Sequence, residues 1–254
     1  MEINHVTPVL IVKNGEATIN ATLKALSPFK KIIVYDNGSN DDTLEIVSKY
    51  RNVQLIQGPF FGFGITKNVA AHHADTAWVF SLDCDEVPNQ LLINSIANWQ
   101  PADDNCVGEI HRENFFCNKA IKTNGWGNDF LIRLYNKETH SFTKSQVHEK
   151  VELHSSSCKI KLAGKLQHTA ITELKQILEK AQLYSEIYAN SEKAKFYPFP
   201  IIILKTCFAF FRSYLLKLGL LSGWRGFVIS FGDTIGVFFK YAKVYQKNKS
   251  GRIQ

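Results

Sequence analysis

Two carboxylates separated by a single residue follow the apolar run Trp78–Leu82. Asp83 and Asp85 flank Cys84, and Glu86 comes next. In an extended segment alternate side chains point to the same side, so the two aspartates project together. Carboxylate oxygens are the ligands that Mg²⁺ and Mn²⁺ prefer, and such an ion can bridge a diphosphate. The spacing therefore favours a divalent-metal site, and a solvated acidic loop is the ordinary alternative.

Another aspartate ends an earlier apolar run. Lys31–Tyr35 is followed by Asp36 and then by Asn37 and Gly38. A carboxylate in this position can accept hydrogen bonds from a base or a ribose. Asp, Asn and Gly are also common turn residues. The residues alone leave both interpretations open.

A glycine-rich segment, Gly62–Asn68, contains a single cation, Lys67. If a helix begins here, its first backbone N–H groups and Lys67 form a cradle for a phosphate. The spacing matches neither a Walker loop nor a dinucleotide-binding fingerprint. A purely structural turn is the alternative.

The elements that position these residues recur along the first third of the chain. Short apolar runs predict four strands, at Pro8–Val12, Lys31–Tyr35, Val53–Ile56 and Trp78–Leu82. Helical patterns lie between them, and Ser39 with Asp42 predicts a capping box for one. This alternation is typical of a parallel βαβ sheet, in which ligands bind beyond the carboxyl ends of the strands. Beyond Pro101 the alternation fades into shorter strands and loops.

Composition is that of a folded protein with an anionic partner. The chain has 254 residues, of which 45% are hydrophobic, and a formal net charge of +7. Its five cysteines are scattered without a CxxC pair, which predicts neither a zinc knuckle nor a disulfide framework. The N-terminus has no signal-peptide pattern, so we expect a cytoplasmic protein.

Residues 193–254 differ sharply from the rest. They contain eleven basic residues and many aromatic ones, and Asp233 is their only acid. The longest uncharged runs, 197–204 and 226–232, fall short of the ~20 apolar residues that span a bilayer. The pattern predicts one or two helices in the membrane interface, attracted to anionic headgroups, with a turn in Gly219–Gly226.

Other functions remain for the same segment. Its aromatic residues would also suit core packing or the interface of a homo-oligomer. RNA binding uses basic and aromatic residues too, but no RNP, KH or zinc signature accompanies them, so we expect no nucleic-acid partner. The sequence therefore predicts two parts: a catalytic domain, residues 1–192, and a membrane-associating helical segment, residues 193–254.

Four elements, taken in this order, resemble family 2 glycosyltransferases of the GT-A fold. They are the segments PVLIVKNGE, KIIVYDNGSNDDTLEI, GFGITKN and SLDCDEV. The resemblance implies an α/β fold, with a mostly parallel Rossmann-like sheet flanked by helices and the helical appendage at the C-terminus. It implies nucleotide-binding roles for Val12, Asn14, Glu16, Asp36, Lys67 and Asp83. It also implies that Asp83 and Asp85 bear a Mg²⁺ or Mn²⁺ ion.

A looser resemblance covers the next part of the chain. Gly125–Phe130, Ile132–Tyr135 and Val147–Glu149 are similar to segments of bacterial lipopolysaccharide inner-core β-glucosyltransferases, and His168 follows in a similar pattern. It implies inversion at the anomeric carbon and transfer of a hexose, glucose from UDP-glucose first, to a lipid-linked glycan such as lipopolysaccharide core.

The same resemblance suggests the reacting groups. Asp129 is the first candidate for the general base and Glu149 the second, and His148 is an additional metal or phosphate ligand. A surface carboxylate, or a partner of Arg133, is the alternative for each of the two acids. The enzyme is expected on the inner face of the cytoplasmic membrane. A nucleotidylyltransferase and a non-catalytic sugar-binding scaffold are the rival functions; Lys13–Glu16 is not the GxGxR-like loop expected of the former.

Overall fold

The computed structural model describes residues 2–144 and 149–250. The chain forms two units. The first contains Met1–Glu113 and Asp129–Thr169, and the second contains Asn114–Asn128 and Ala170–Gln254. The predicted boundary at residue 193 therefore falls inside the second unit.

The first unit begins with the predicted alternation of strands and helices. The elements are β1 (Val6–Val12), α1 (Ile19–Ala25), β2 (Ile32–Asp36), α2 (Thr43–Ser48), β3 (Val53–Gln57), α3 (Phe63–His72) and β4 (Trp78–Asp83). The four strands pair in parallel in the order β3-β2-β1-β4. All seven residues of β1 are buried, as expected for a central strand covered on both faces.

Later strands extend this sheet with antiparallel pairs. The elements that follow are β5 (Glu86–Pro88), α4 (Gln90–Ala97), β6 (Cys106–Phe116), β7 (Lys119–Ala120), β8 (Asp129–Asn136) and β9 (Cys158–Ile171). The strand order is β3-β2-β1-β4-β8-β6-β9-β5, with β7 beside β6. The α/β class of the GT-A type is confirmed.

Side chains of β1 supply both faces of the core. Leu10 packs in a cluster with Leu23 of α1, whereas Val9 packs in a second cluster with Ala70 of α3. This alternation follows from the two-residue period of a strand. It explains why the strand reads as an unbroken apolar run.

The register brings the strand ends together. Asp36 is the parallel partner of Val12, and Asp83 is the partner of Ile11. The two aspartates therefore flank the carboxyl end of β1, which is the edge at which ligands are expected in such a sheet.

The predicted capping box at Ser39 and Asp42 is wrong. Helix α2 begins at Thr43, and Asp42 makes no side-chain cap hydrogen bond. The hydroxyl of Ser39 instead accepts a hydrogen bond from the backbone N–H of Asn14. Asp41 takes over the local role and accepts from the backbone N–H of Thr43.

The second unit is mainly helical. Its elements are α5 (Lys175–Ala189), α6 (Phe199–Phe211), a π-helical turn (Arg212–Leu216), a 3-10 turn (Gly219–Ser222) and α7 (Gly223–Ser250). The 3-10 turn and the start of α7 occupy the predicted turn region. The second unit also contains the segment from Asn114 to Asn128, which comprises the end of β6, strand β7 and the loop that leads to β8.

Among the described residues, one helical stretch is long and apolar enough to cross a membrane. It runs over the 18 residues Phe199–Leu216, with a mean hydropathy of 1.5, and 11% of it is buried. This stretch includes Lys205 and Arg212, which is why it does not appear as an uncharged run in the sequence.

Candidate active site

Asp36 closes its own turn at the end of β2. The carboxylate is 1% exposed and accepts backbone N–H bonds from Gly38 and Ser39, both at 3.1 Å. Gly38 has a φ of +97°, a conformation that side chains rarely adopt. Asp36 therefore stabilises the turn, as one of the two interpretations of the sequence expected. Its contact with a nucleotide remains a prediction.

Asn14 and Glu16 tie the loop after β1 to the loop after β2. The side-chain oxygen of Asn14 accepts from the backbone N–H of Asn40 at 2.9 Å, and a carboxylate oxygen of Glu16 accepts from that of Asp42 at 3.2 Å. Asp41 returns the contact by accepting the backbone N–H of Glu16. The two loops thus form one rim beside Val12 and Asp36.

Lys67 is a buried cation held between two carboxylates. It lies inside α3 rather than at its first residue, and its side chain is 2% exposed. Its Nζ is 2.8 Å from Asp83 Oδ1 and 2.8 Å from Glu149 Oε1. The sequence predicted a phosphate cradle here, but the charge of Lys67 is already balanced by these acids.

The ion pairs continue on the other side of Asp83. Arg133 Nη2 is 2.7 Å from Asp83 Oδ2 and 2.8 Å from Glu86 Oε1. Arg112 joins Glu86 at 3.2 Å to Asp129 at 2.8 Å. Seven side chains therefore form one alternating network, which we call the ion-pair chain: Glu149, Lys67, Asp83, Arg133, Glu86, Arg112 and Asp129.

Charges in the ion-pair chain stabilise one another. Burial would by itself raise the pKa of Asp83, but the charges of Arg133 and Lys67 hold that pKa well below its usual range. Burial would lower the pKa of Arg133, and Asp83 and Glu86 raise it instead. The four acids and three bases leave one net negative charge at this edge of the sheet.

Lys67→Met is expected to lower the free energy of unfolding by about 3 kcal/mol, because it leaves Asp83 and Glu149 without their shared cation. Urea unfolding at neutral pH measures the change. Lys49→Met is the matched control: Lys49 is an exposed partner of Glu45, and its pair contributes about 0.5 kcal/mol or less. Equal effects of the two substitutions would contradict a buried network.

Asp85 stands apart from the ion-pair chain. Its Oδ2 is 3.4 Å from Nε2 of His168, and its backbone carbonyl accepts the N–H of Thr169. The antiparallel pairing of β5 with β9 places Glu86 opposite His168, which brings the histidine to the acidic cluster. The half-exposed carboxylate is a ligand type that suits Mn²⁺ or Mg²⁺, and the imidazole nitrogen beside it suits a transition ion such as Mn²⁺ better than Mg²⁺.

A metal fits Asp85 better than Asp83. Both oxygens of Asp83 are engaged by Lys67 and Arg133, whereas Asp85 faces the ring of His168. Within residues 2–144 and 149–250, no three His, Cys, Asp or Glu side chains gather to hold a metal. Mg²⁺ commonly uses one or two protein ligands and completes its shell with waters and substrate phosphates. His148, the third predicted ligand, lies outside the described residues.

Cys84 is a shielded thiol between the two aspartates. Burial, with the neighbouring charges of Asp85 and Asp83, raises the pKa of Cys84 to about 12. At pH 8 in EDTA we therefore expect iodoacetamide to label Cys84 at least about tenfold more slowly than the exposed Cys207, because the thiolate is the nucleophile. Peptide mass spectrometry measures both rates, and equal labelling after denaturation is the control. Labelling of native Cys84 as fast as Cys207 would contradict its buried, anionic surroundings.

The structure brings most predicted residues to one edge of the first unit. Asp83, Lys67, Glu149 and Asp129 are connected by the ion-pair chain, and Asp36 and Val12 lie at the neighbouring strand end. Three further residues of this edge, Glu86, Arg112 and His168, were not selected as site residues from the sequence. Glu86 is fully buried and also accepts the backbone N–H of Asp83 at 3.0 Å. Arg133 was named only as an alternative partner of Asp129 and Glu149, but these acids pair with Arg112 and Lys67 instead. A single charge within the apolar run Phe130–Tyr135 was the available signal for Arg133.

Comparisons with known proteins identify the family of the chain. The model of the family "Glycosyl transferase family 2" matches residues 8–152. The chain is 24% identical to the lipopolysaccharide core biosynthesis glycosyltransferase LpsC of Rhizobium meliloti (strain 1021), over 94% of this chain and 91% of LpsC. It is 29% identical to the chondroitin synthase of Escherichia coli over 50% of this chain and 19% of that enzyme.

A solved structure of low similarity also aligns with the chain. The UDP complex of S. aureus TarS, residues 1–349, aligns with a TM-score of 0.44 and 15% identity, over 99% of this chain and 92% of that one. The matching family model covers more than half of the chain and includes both strand-end aspartates and the ion-pair chain. The chain belongs to glycosyl transferase family 2.

Proposed function

We propose that this protein is an inverting glycosyltransferase that moves a hexose from a UDP-sugar, UDP-glucose first, onto a lipid-linked glycan such as lipopolysaccharide core. The observation that carries the proposal is the Asp85–His168 pair beside the ion-pair chain, at the carboxyl edge of β4, in a family 2 chain. This edge of the sheet combines a candidate metal site with carboxylates whose charged neighbours differ.

The nucleotide would lie on the rim of the first two loops. Asp36 and the backbone of Val12 would contact the nucleotide at the ends of β2 and β1. Asn14 and Glu16 would hold the two loops together through their hydrogen bonds to the second loop. Lys67 and Asp83 would lie near the phosphates of the nucleotide and would set the net charge there. Because each is already paired with an opposite charge, neither needs to reorganise when a diphosphate arrives.

Asp85 and His168 would hold the Mg²⁺ or Mn²⁺ ion, with His148 as the additional predicted ligand. When bound, such an ion neutralises the diphosphate of the leaving UDP. Arg133 keeps Asp83 and Glu86 in place behind Asp85. The site residues thus separate into a pair for the metal and a pre-formed charged support.

Asp129 is our first candidate for the general base. In a single in-line displacement, the acceptor hydroxyl gives its proton to a carboxylate while its oxygen bonds to the anomeric carbon and the bond to UDP breaks. Arg112 holds the carboxylate of Asp129 through both Nε and Nη2, which fixes its orientation. Glu149 is the second candidate, and its bond to Lys67 restrains it in a similar way.

The similarity to LpsC and the composition of the C-terminal segment support the proposed acceptor and the proposed membrane location of the enzyme. LpsC, which this chain matches over most of both lengths, is named for lipopolysaccharide core biosynthesis. A glycan of that kind is carried by a lipid. A basic, aromatic C-terminal segment then suits a peripheral enzyme bound to the anionic inner face of the cytoplasmic membrane.

Calorimetric titration with UDP, with and without Mn²⁺, tests the proposal. We expect UDP affinity to rise at least about tenfold when Mn²⁺ is present, and this gain to disappear in Asp85→Asn. GDP and ADP serve as competitors for the base site. Absence of UDP binding under both conditions would overturn the proposed donor and favour a non-catalytic scaffold.

A further inference from the structure

The second unit exposes a compact apolar tip where α6 turns into α7. We define the tip as Leu215–Trp224. Its large apolar side chains are from 42% to 67% exposed: Leu215, Leu216, Leu218, Leu220, Leu221 and Trp224. Gly226 packs directly on the carbonyl of Gly219, where a Cβ would collide with it, so the turn is tight and well defined. A rigid apolar projection of this kind is unusual on a protein surface that faces only water.

The charges in and next to the tip are mostly positive. Lys217 lies within it and Arg212 and Arg225 flank it in sequence, and Asp233 is the only acid between residues 193 and 254. Asp233 is itself an acceptor for the hydroxyl of Ser213. Leucine and tryptophan side chains flanked by cations match the acyl boundary and the headgroups of an anionic bilayer.

Asn124 fastens a separate segment of the chain to the base of the tip. It is 2% exposed and has a φ of +57°. Its side-chain nitrogen lies 3.1 Å from Ser213 Oγ, 2.9 Å from Ser230 Oγ and 3.2 Å from the Gly226 carbonyl. Its backbone N–H donates to the carbonyl of Lys217, a residue of the tip, at 2.8 Å.

Neighbours of Asn124 strengthen this attachment. The hydroxyls of Thr123 and Ser222 are 2.6 Å apart. The guanidinium of Arg225 donates to the carbonyls of Phe116 and Cys117 at the other end of the same segment. The π-helical turn that contains Ser213 is a local irregularity of a type that often occurs at functional sites.

The fastened segment returns directly to the candidate base. Residues Asn114–Asn128 comprise the last residues of β6, strand β7 and the loop to β8, and the next residue is Asp129. Asp129 is the antiparallel partner of Arg112. The ion pair between them therefore joins β6 to β8 near the two ends of the segment. Asn124 therefore precedes Asp129 by five positions along the backbone.

We propose that the tip binds an anionic bilayer and that Asn124 passes this restraint to the segment ending at Asp129, so that lipid binding positions the base. The role of Asn124 is that of a positioning residue. This inference rests on the proposed function, because it takes Asp129 as the base.

Vesicle flotation tests the partner. We expect the protein to float with vesicles of phosphatidylcholine plus phosphatidylglycerol, and to bind pure phosphatidylcholine at least about tenfold more weakly. The double variant Leu216→Glu with Leu221→Glu should lose binding, whereas Leu91→Glu, at an exposed leucine of the first unit, should keep it. Equal binding to both vesicle types, no binding at all, or a dimer that the double variant dissolves would overturn the lipid partner.

Hydrogen exchange tests the coupling without needing an acceptor. We expect phosphatidylglycerol vesicles to slow the exchange of backbone amides 123–131 by about tenfold in the unaltered protein. Asn124→Ala should still bind vesicles, yet its segment should show no slowing. Asn248→Ala, which alters an exposed asparagine of the same unit, is the matched control and should resemble the unaltered protein.

A milder substitution keeps the coupling testable if Asn124→Ala does not fold. Thr123→Val removes only the hydroxyl contacts and should give a smaller slowing on vesicles, with a circular dichroism spectrum like that of the unaltered protein. Slowing in either variant equal to that of the unaltered protein would overturn the coupling. UDP binding is measured on the same samples: its absence in the unaltered protein defeats the proposed function, and the vesicle and exchange results still decide the lipid contact.

Discussion

Asp85→Asn is expected to lower the rate of sugar transfer by about 10³-fold or more. The substitution removes the carboxylate that, with His168, offers the donor pair for a divalent cation. A metal that neutralises a leaving diphosphate contributes several kcal/mol to the transition state, and each 1.4 kcal/mol is about a factor of ten. The change preserves volume, so the loss reports charge and coordination rather than packing.

The measurement is release of UDP from UDP-glucose, with a lipid-linked acceptor extracted from membranes, over a range of Mn²⁺ concentrations. Asp75→Asn is the matched control, because Asp75 is an exposed carboxylate that is paired with Lys31 and precedes the amino end of β4, at the opposite end of that strand from Asp85. It should keep nearly full activity. If Asp85→Asn retains near-normal turnover at saturating Mn²⁺, the metal assignment is wrong.

His168→Ala extends the same test. Its ring is the partner of Asp85, and its loss should raise the Mn²⁺ concentration needed for half-maximal UDP binding. Asp83→Asn should act differently: it leaves Arg133 and Lys67 without a shared acid, so the expected loss is in stability as well as in rate. This difference separates the metal pair from the ion-pair chain.

Asp129→Asn is expected to lower kcat by about 10²–10⁴-fold while UDP affinity stays nearly unchanged. The amide cannot take the proton of the acceptor hydroxyl, but it is similar in size and keeps an oxygen that can accept from Arg112. Comparison of kcat with the calorimetric Kd for UDP measures the separation of catalysis from nucleotide binding.

Glu149→Gln is the matched variant for this experiment. Glu149 is bonded to Lys67 at the opposite end of the ion-pair chain, so its substitution is expected to affect stability and nucleotide binding more than kcat. If Glu149→Gln lowers kcat with UDP affinity intact and Asp129→Asn does not, Glu149 is the base. A loss of UDP binding in Asp129→Asn would contradict the role of acceptor-side base.

Much of the first unit was readable from the sequence because its signals are local. The apolar runs that became β1, β2 and β4 are nearly continuous, since these strands lie inside the sheet and are buried on both faces, whereas the edge strand β3 is partly exposed. The strand-end positions of Asp36 and Asp83 follow from where those runs stop. The order of the motifs then predicted the family to which the chain belongs.

Local signals misled where a turn had competing donors and acceptors. Ser39 and Asp42 have the spacing of a capping box, yet Asp36 and Asn14 take the polar groups of Ser39. The helix consequently begins later, at Thr43. Such competition depends on a second loop, 25 residues away in sequence, and no local pattern records it.

The partners of the charged residues were decided by the tertiary structure. Sequence alone determined a parallel sheet with carboxylates at its strand ends and a basic, aromatic C-terminal segment. Only the folded chain placed Lys67 between Asp83 and Glu149, His168 beside Asp85, and Asn124 under the tip. Apolar periodicity is a property of neighbouring residues and survives in a sequence. An ion pair between residues 50 or more positions apart exists only because antiparallel strands and a helix bring the two charges to one edge, where burial requires that each be matched.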